Sequence, residues 1–177
     1  MTALAAVHPG PAQYPRRQCL QAPASQSFLV QLAGPGELFD ACSRVARRFC
    51  GHSMMFSLCG IELAEAALHV PEDDPLGARM VRYAAAIEIP PGSLLVSAQV
   101  MVGWDGRRPV LHAHGYVALP QGGLLGGHLS PNRCHFRSRG SHVRGRLTVA
   151  SGADLAPVLD EETGFRLLTP IPAPEVA

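Results

Sequence analysis

The sequence predicts an α+β domain, a mostly antiparallel sheet with one main helix packed on it. Three observations carry that prediction. A single segment, Glu37–Cys50, repeats its apolar residues at helical spacing. Almost everything after it reads as short strand-like runs divided by turn residues. At 177 residues, 47% apolar and 16% charged, the chain can bury one core of its own. One helix followed by many hairpin-linked strands is the pattern of an antiparallel α+β layer.

The elements follow in order. Residues 1–25 are rich in proline and polar residues and read as a flexible arm. "SFLVQLA" (Ser27–Ala33) is an apolar run with β-branched and aromatic content, a candidate strand ended by "GPGE". In Glu37–Cys50, Leu38, Ala41, Cys42, Val45 and Phe49 recur at spacings of three and four, with Arg44, Arg47 and Arg48 on the opposite face. Gly51 is placed to cap that helix, and the arginines of its last turns suit the helix dipole. Strand signals then dominate: "SMMFSL", "ELAEAALHV", "RMVRYAAAIEI", "SLLVSAQVMV", "PVLHAHGYVAL", "GLLGGHL", "HVRGRLTVA" and "GFRLLTP". "PEDDPLG", "PPG", "WDGRRP" and "PQGG" punctuate them. "ELAEAALHV" also has a helical reading. No fixed-period repeat is visible, so residues 26–170 read as a single domain and 171–177 as a flexible tail.

Bulk chemistry excludes several classes. The formal net charge is +1, so no global field draws the chain to nucleic acid or to a membrane surface. No apolar run is long enough to span a bilayer, and no charged segment followed by an apolar core marks a signal peptide. Five cysteines (Cys19, Cys42, Cys50, Cys59, Cys134) form no C-x-x-C pair and are odd in number. A disulfide framework or a cysteine zinc site is therefore not expected, the cysteines read as small buried hydrophobes, and a reducing cytoplasm fits. All 15 basic residues are arginine. Genome composition explains that bias, although arginine also suits planar anions.

Chemistry concentrates in "PVLHAHGYVALPQGGLLGGHL" (Pro109–Leu129), which holds three of the eight histidines. In a strand, residues i and i+2 share a face, so His112 and His114 point the same way. "PQGG" supplies the turn. If it centres on Gln121, His128 returns opposite His114, with Cβ atoms about 4.5–5.5 Å apart. Gly126 and Gly127 permit a bulge or a close backbone approach there. Three imidazoles in that arrangement can converge on one metal ion, zinc or another divalent transition metal, and leave a position open. Such an open position is the mark of a catalytic zinc, which lowers the pKa of its bound water to about 7. An H-x-H pair by itself is weak evidence, since most such pairs are surface or hydrogen-bonded histidines.

The same residues resemble a known signature. H-x-H, a Gly-containing turn and then G-G-H-L is similar to the PPC domain of plants and prokaryotes, also called PCC or DUF296. "FLVQLAGPGELFDACSRVARRF" resembles that family's opening strand and helix. "SLCGIELAEAALHV" resembles its glycine-marked strand. "IEIPPGSLLVSAQV" and "LDEETGFRLL" resemble later segments, so the likeness runs from about Phe28 to Leu168. The resemblance implies a stand-alone α+β domain, a homotrimer, and a metal held by His112, His114 and His128. In plant members the domain is attached to AT-hooks that bind DNA. Here "RGRL" (Arg144–Leu147) and "GRRP" (Gly106–Pro109) do not match the hook core, which weakens a DNA role. The H-x-H plus a later His is also similar to the zinc site of alpha-acetolactate decarboxylases, which implies an alternative: a zinc-dependent enzyme, a decarboxylase or hydrolase, using a metal-bound water.

Other residues stand as candidates beside bland readings. "NRCHFRSRGSHVRGR" (Asn132–Arg146) offers Arg133, Arg137, Arg139, Arg144 and Arg146 as anion or nucleic-acid contacts. A solvated loop is the plainer reading, and only Phe136 could stack on a base. His135 and His142 are loosely spaced as extra ligands. Glu88, the acid inside "AAAIEIPPG", is a candidate partner for a metal histidine or a general base, set against a place on a strand's solvent face. "PEDD" reads as an ordinary turn, and Tyr83 and Trp104 as packing or rim residues.

Overall fold

A computed structural model describes residues 8, 10–15, 18–49, 52–77, 79–130, 132–137 and 143–173. Cys50, Gly51, Arg139 and His142, each named above, lie outside the described residues, as do most of residues 1–9 and all of 174–177.

The fold is mostly antiparallel sheet with one short helix. The first strand, β1 (Ala24–Leu32), and the two-residue β2 (Gly36–Glu37) precede α1 (Leu38–Ala46). The helix is shorter than its apolar periodicity predicts. Glu37 stands outside it as the cap, its carboxylate accepting from the backbone N–H of Phe39 at 2.7 Å and of Asp40 at 2.5 Å. At the other end Arg47–Phe49 tightens into a 3-10 turn, a common way to close a last turn. Leu38, Phe39, Ala41, Cys42 and Ala46 are buried, while Asp40 and Arg44 form an i,i+4 ion pair on the wet face.

One long strand, β3 (Met54–His69), replaces the two separate runs expected there, and "ELAEAALHV" is strand, not helix. Its residues alternate buried and exposed through Phe56, Leu58, Ile61 and Leu63. Tertiary pairing on both edges overrides the helix-forming Glu and Ala content. "RMVRYAAAIEI" in turn divides into β5 (Val81–Tyr83) and β6 (Ile87–Ile89). The acidic "PEDD" is not simply a turn. Pro71–Asp73 is β4, paired with β5, and Asp74 makes the turn by accepting from the N–H of Leu76 and Arg79.

The remaining strands are β7 (Leu94–Asp105), β8 (Arg108–Ala118), β9 (Leu124–Leu129), β10 (His135–Phe136), β11 (Val143–Ser151), β12 (Ala153–Asp160) and β13 (Phe165–Pro172). The main sheet runs β1-β11-β3-β7-β8-β9, all neighbours antiparallel. It then closes on itself, because β9 pairs with the far end of β3 at Leu68↔Leu129 and His69↔His128. Gly60, with φ +66°, sits in β3 between the half that pairs β11 and the half that returns to β9. That left-handed conformation carries little strain in glycine and lets one strand serve both.

The helix side of this sheet is the core. Phe56 and Leu58 of β3, Val100 and Val102 of β7, Ala113 and Val117 of β8, Leu129 of β9 and Leu147 of β11 are all buried in one cluster with α1. Each large side chain buried this way stabilises by about 1.5–3 kcal/mol. Two small hairpins, β4–β5 and β12–β13, stand apart from the main sheet. The second is pinned by Ser53, which donates to the buried carboxylate of Asp154, while the Leu155 N–H donates to Ser53 Oγ at 2.5 Å. It also lies close on β7: a Cβ at Gly103 would meet the Leu155 carbonyl oxygen at 2.5 Å. Among the described residues no helix is long and apolar enough to cross a membrane.

Candidate metal centre

Strand alternation decides where the histidines point. Ala113 and Val117 face the buried core, so His112 and His114 face the other side of β8. The turn at "PQGG" closes with the Gly122 N–H on the Leu119 carbonyl and the Leu119 N–H on the Gly123 carbonyl. Gly122 and Gly123 hold φ of +95° and +99°, which this turn requires. The hairpin register is then His114↔His128, the pairing expected for a turn centred on Gln121.

The three rings meet. One ring nitrogen from each of His112, His114 and His128 lies within 4.8 Å of the other two. His112 Nε2 and His114 Nε2 are 2.9 Å apart, and ring centroids are separated by 4.6 Å (His112 to His128), 4.8 Å (His112 to His114) and 5.4 Å (His114 to His128). A metal bonded at roughly 2.0–2.1 Å keeps its nitrogens no more than about 4 Å from one another. The 2.9 Å pair lies inside that limit, and the 4.8 Å bound on the set lies within an ångström of it. His128 Nδ1 is buried with no hydrogen-bond partner among the described residues. An orphaned buried nitrogen of that kind costs about 1–3 kcal/mol, and a metal ion or an added donor removes the cost.

Electrostatics agree with that chemistry. His128 is lowered to about 4, first by burial and then by the neighbouring His112, His114 and His69. Burial, then His114, also lowers His112. Both rings are held neutral, the form in which imidazole ligates a metal.

Neighbours support the rings. Tyr83 of β5 stacks on His128 at 5.1 Å between centroids and 28° between planes. Behind it His69, paired with His128 across β3 and β9, is occupied on both nitrogens: Nδ1 with the Ala84 carbonyl at 3.1 Å and Nε2 with Ser130 Oγ at 3.2 Å. Gly126 and Gly127 permit close approach. A Cβ at Gly127 would sit 2.6 Å from the His69 carbonyl oxygen, and one at Gly126 would strike the Tyr116 ring at 2.9 Å.

The histidines form part of the wall of a cleft of about 800 Å³. The β4–β5 hairpin contributes Val81, Arg82 and Tyr83, and the β12–β13 hairpin contributes Pro157 and Phe165–Leu168. Met101, Asp105, Val110 and Leu111 of β7 and β8 complete much of the rest. The two hairpins touch where Arg79 lies over the Phe165 ring at 4.7 Å.

The other sequence candidates lie elsewhere. Glu88 does not line the cleft; Arg133 Nη2 donates to both of its carboxylate oxygens at 2.5 Å. Arg137 reaches Glu62 at 3.5 Å. Arg144 and Arg146 are exposed on β11. His135 belongs to β10, opposite Glu37 and Glu65, away from the three-histidine cluster. Trp104 is buried, with its Nε1 donating to the His52 carbonyl at 2.8 Å. Arg82, Asp105, Arg166 and His69 went unnoticed in the sequence. No local motif marks them, because separate hairpins bring them to the site.

No family model matches the sequence, and no curated protein does. Solved structures do match. A metal-containing protein from Archaeoglobus fulgidus aligns over 86% of this chain and 99% of its own, with a TM-score of 0.64 at 16% identity. A plant- and prokaryote-conserved (PPC) protein from Pyrococcus horikoshii aligns over 81% and 91%, with a TM-score of 0.61 at 15% identity. A proposed DNA-binding protein from Ralstonia eutropha JMP134 aligns over 80% and 89%, with a TM-score of 0.60 at 17% identity. This chain therefore has the fold of a PPC/DUF296-like domain. The particular protein is a version of that fold with three histidines clustered beside a two-hairpin cleft.

Proposed function

We propose that this chain is a metal-holding PPC-type module, residues 26–170 forming the working unit. His112, His114 and His128 bind a divalent transition metal, zinc foremost, with a remaining position turned to a ligand in the cleft. The observation that carries the reading is the convergence of three imidazoles, one with a buried nitrogen lacking any partner among the described residues. The metal-containing description of the Archaeoglobus fulgidus neighbour supports it at the level of the fold. Metal analysis of the purified protein tests it. The expected result is near-stoichiometric metal, lost in the double variant His112→Ala, His128→Ala. Unchanged metal in that variant sinks the assignment.

The module assembles as a homotrimer in the cytoplasm and serves a regulatory or DNA-associated role. Resemblance to the PPC domain supports the trimer, the four free cysteines among the described residues support the compartment, and the Ralstonia eutropha neighbour supports a DNA link. The arginines supply less support for DNA, since Arg133 and Arg137 are already paired with acids. Titration of duplex DNA at low and moderate salt tests this role, and absence of any salt-sensitive binding ends it.

A second reading has its own observation. The site opens on a cleft that also carries arginines and a carboxylate, Arg82, Arg166 and Asp105. That arrangement supports a zinc-dependent decarboxylase or hydrolase. The metal would supply Lewis acidity and an activated water at neutral pH. The chain's own residues would bind and orient the substrate and keep bulk water from the apolar walls.

A further inference from the structure

The cleft beside the histidines has a composition that selects its occupant. Its volume of about 800 Å³ lies in the range of small-molecule sites, far beyond what one water needs. Much of its wall is hydrocarbon: Val81 from one hairpin, Val110 and Leu111 from β8, Leu168 from the other hairpin. A wall of that kind rewards an apolar body and gives an inorganic anion nothing in exchange for its water.

The charges are arranged unevenly. Arg82 is committed to Glu72, with Nε at 2.9 Å and Nη2 at 2.8 Å from the same oxygen. Arg166 is not committed: its guanidinium donates to the Pro157 carbonyl at 2.9 Å, and no carboxylate partners it among the described residues. Asp105 forms no ion pair with either arginine among the described residues. The three histidines bring no negative charge, because no carboxylate among the described residues joins their cluster. A divalent ion there keeps its full charge, and a charge facing apolar walls is costly unless an anion meets it.

We infer that the cleft binds a small organic carboxylate with an apolar body, anchored by Arg166 and facing the three-histidine site. The inference deepens the metal reading and rests on it for the charge at the histidine end. The Arg166 end stands on the geometry of β13 alone. A guanidinium presents parallel N–H donors that match a carboxylate, so recognition depends on charge and shape together.

The test is calorimetric titration of the purified, metal-loaded full chain with 3-phenylpropanoate, its neutral isostere 3-phenylpropanamide, acetate and inorganic phosphate. The inference expects 3-phenylpropanoate to bind at least tenfold tighter than the amide, which lacks the charge. It expects the same margin over acetate, which lacks the body, and over phosphate. In Arg166→Gln, a change at an exposed position, affinity for 3-phenylpropanoate falls about tenfold, with melting temperature and metal content measured on the same samples. An amide that binds as tightly as the acid overturns the inference. So does phosphate or acetate binding as tightly as 3-phenylpropanoate, or an affinity that Arg166→Gln does not move. Metal content of the same samples reports on the histidine site separately. Protein that holds no metal yet discriminates acid from amide through Arg166 sinks the metal reading and keeps the carboxylate site. Protein that holds metal without discriminating does the reverse.

Discussion

His128 sits where several forces meet. Its ring stacks on Tyr83, lies beside two other imidazoles and leaves Nδ1 buried without a partner among the described residues. Its pKa falls from the ordinary 6.5 to about 4. The sign of the effect on stability follows directly. Above pH 6.5 the ring is neutral in both folded and unfolded chains. Between 6.5 and about 4 the unfolded chain takes up a proton that the folded chain refuses, so stability falls as pH falls through that window. The lowered His112 acts in the same direction. Thermal melts of metal-stripped protein from pH 7 to 4 are expected to show a falling Tm, with a shallower slope in His128→Gln. An equal slope in both proteins contradicts the assignment. Cysteines divide just as sharply. Burial pushes Cys134 up to about 12, and Cys42 higher still, whereas Cys19 and Cys59 are exposed. Alkylation of the native protein with iodoacetamide, mapped by peptide, should therefore label Cys19 and Cys59 well before Cys42 and Cys134.

At the scale of elements, glycine sets how closely strands approach. β9 must lie tight against β3 for His128 to reach its partners, and Gly127 allows it by leaving the His69 carbonyl room. Gly127→Ala is expected to cost about 1–3 kcal/mol through overpacking against backbone. It should also weaken metal affinity at least tenfold by displacing His128, which equilibrium metal titration checks. Gly103 has the matching role for the β12–β13 hairpin, whose Leu155 carbonyl lies over it. Gly103→Ala should cost a similar amount in chemical denaturation while leaving bound metal in place, because the histidines sit on β8 and β9 and not on that hairpin. Loss of metal in Gly103→Ala would show that the hairpin, too, positions the site.

Across the whole molecule, one face of the main sheet carries the helix and core, and the other is partly bare. Register aligns Leu29, Arg146, Ser57, Gln99, His114 and His128 in one row across six strands. Leu29 is 93% exposed at one end of that row and the histidine centre lies at the other. A second chain on this face would cover the apolar side chain at one end and approach the metal site at the other. Light scattering is expected to give three times the 18.8 kDa chain mass. A monomeric mass at micromolar concentration refutes the homotrimer.

The sequence by itself determined a good deal here. Helical spacing in Glu37–Cys50, of which Leu38–Ala46 is the helix, and turn residues between the later runs showed an α+β chain, and symmetry about Gln121 paired His114 with His128. These features are local, since hairpin register depends only on the turn and the few residues beside it. Only the tertiary structure decided the rest. It extended β3 through a segment with helix-forming residues, because pairing on both edges outweighs propensity. Glu88 went to Arg133 and not to the histidines, because β6 docks on β3 with that side chain facing outward. Arg82, Asp105 and Arg166 came together from three separate hairpins. Contacts between hairpins far apart in the chain obey no fixed spacing. They depend on how the layers pack, and so the cleft became visible only in three dimensions.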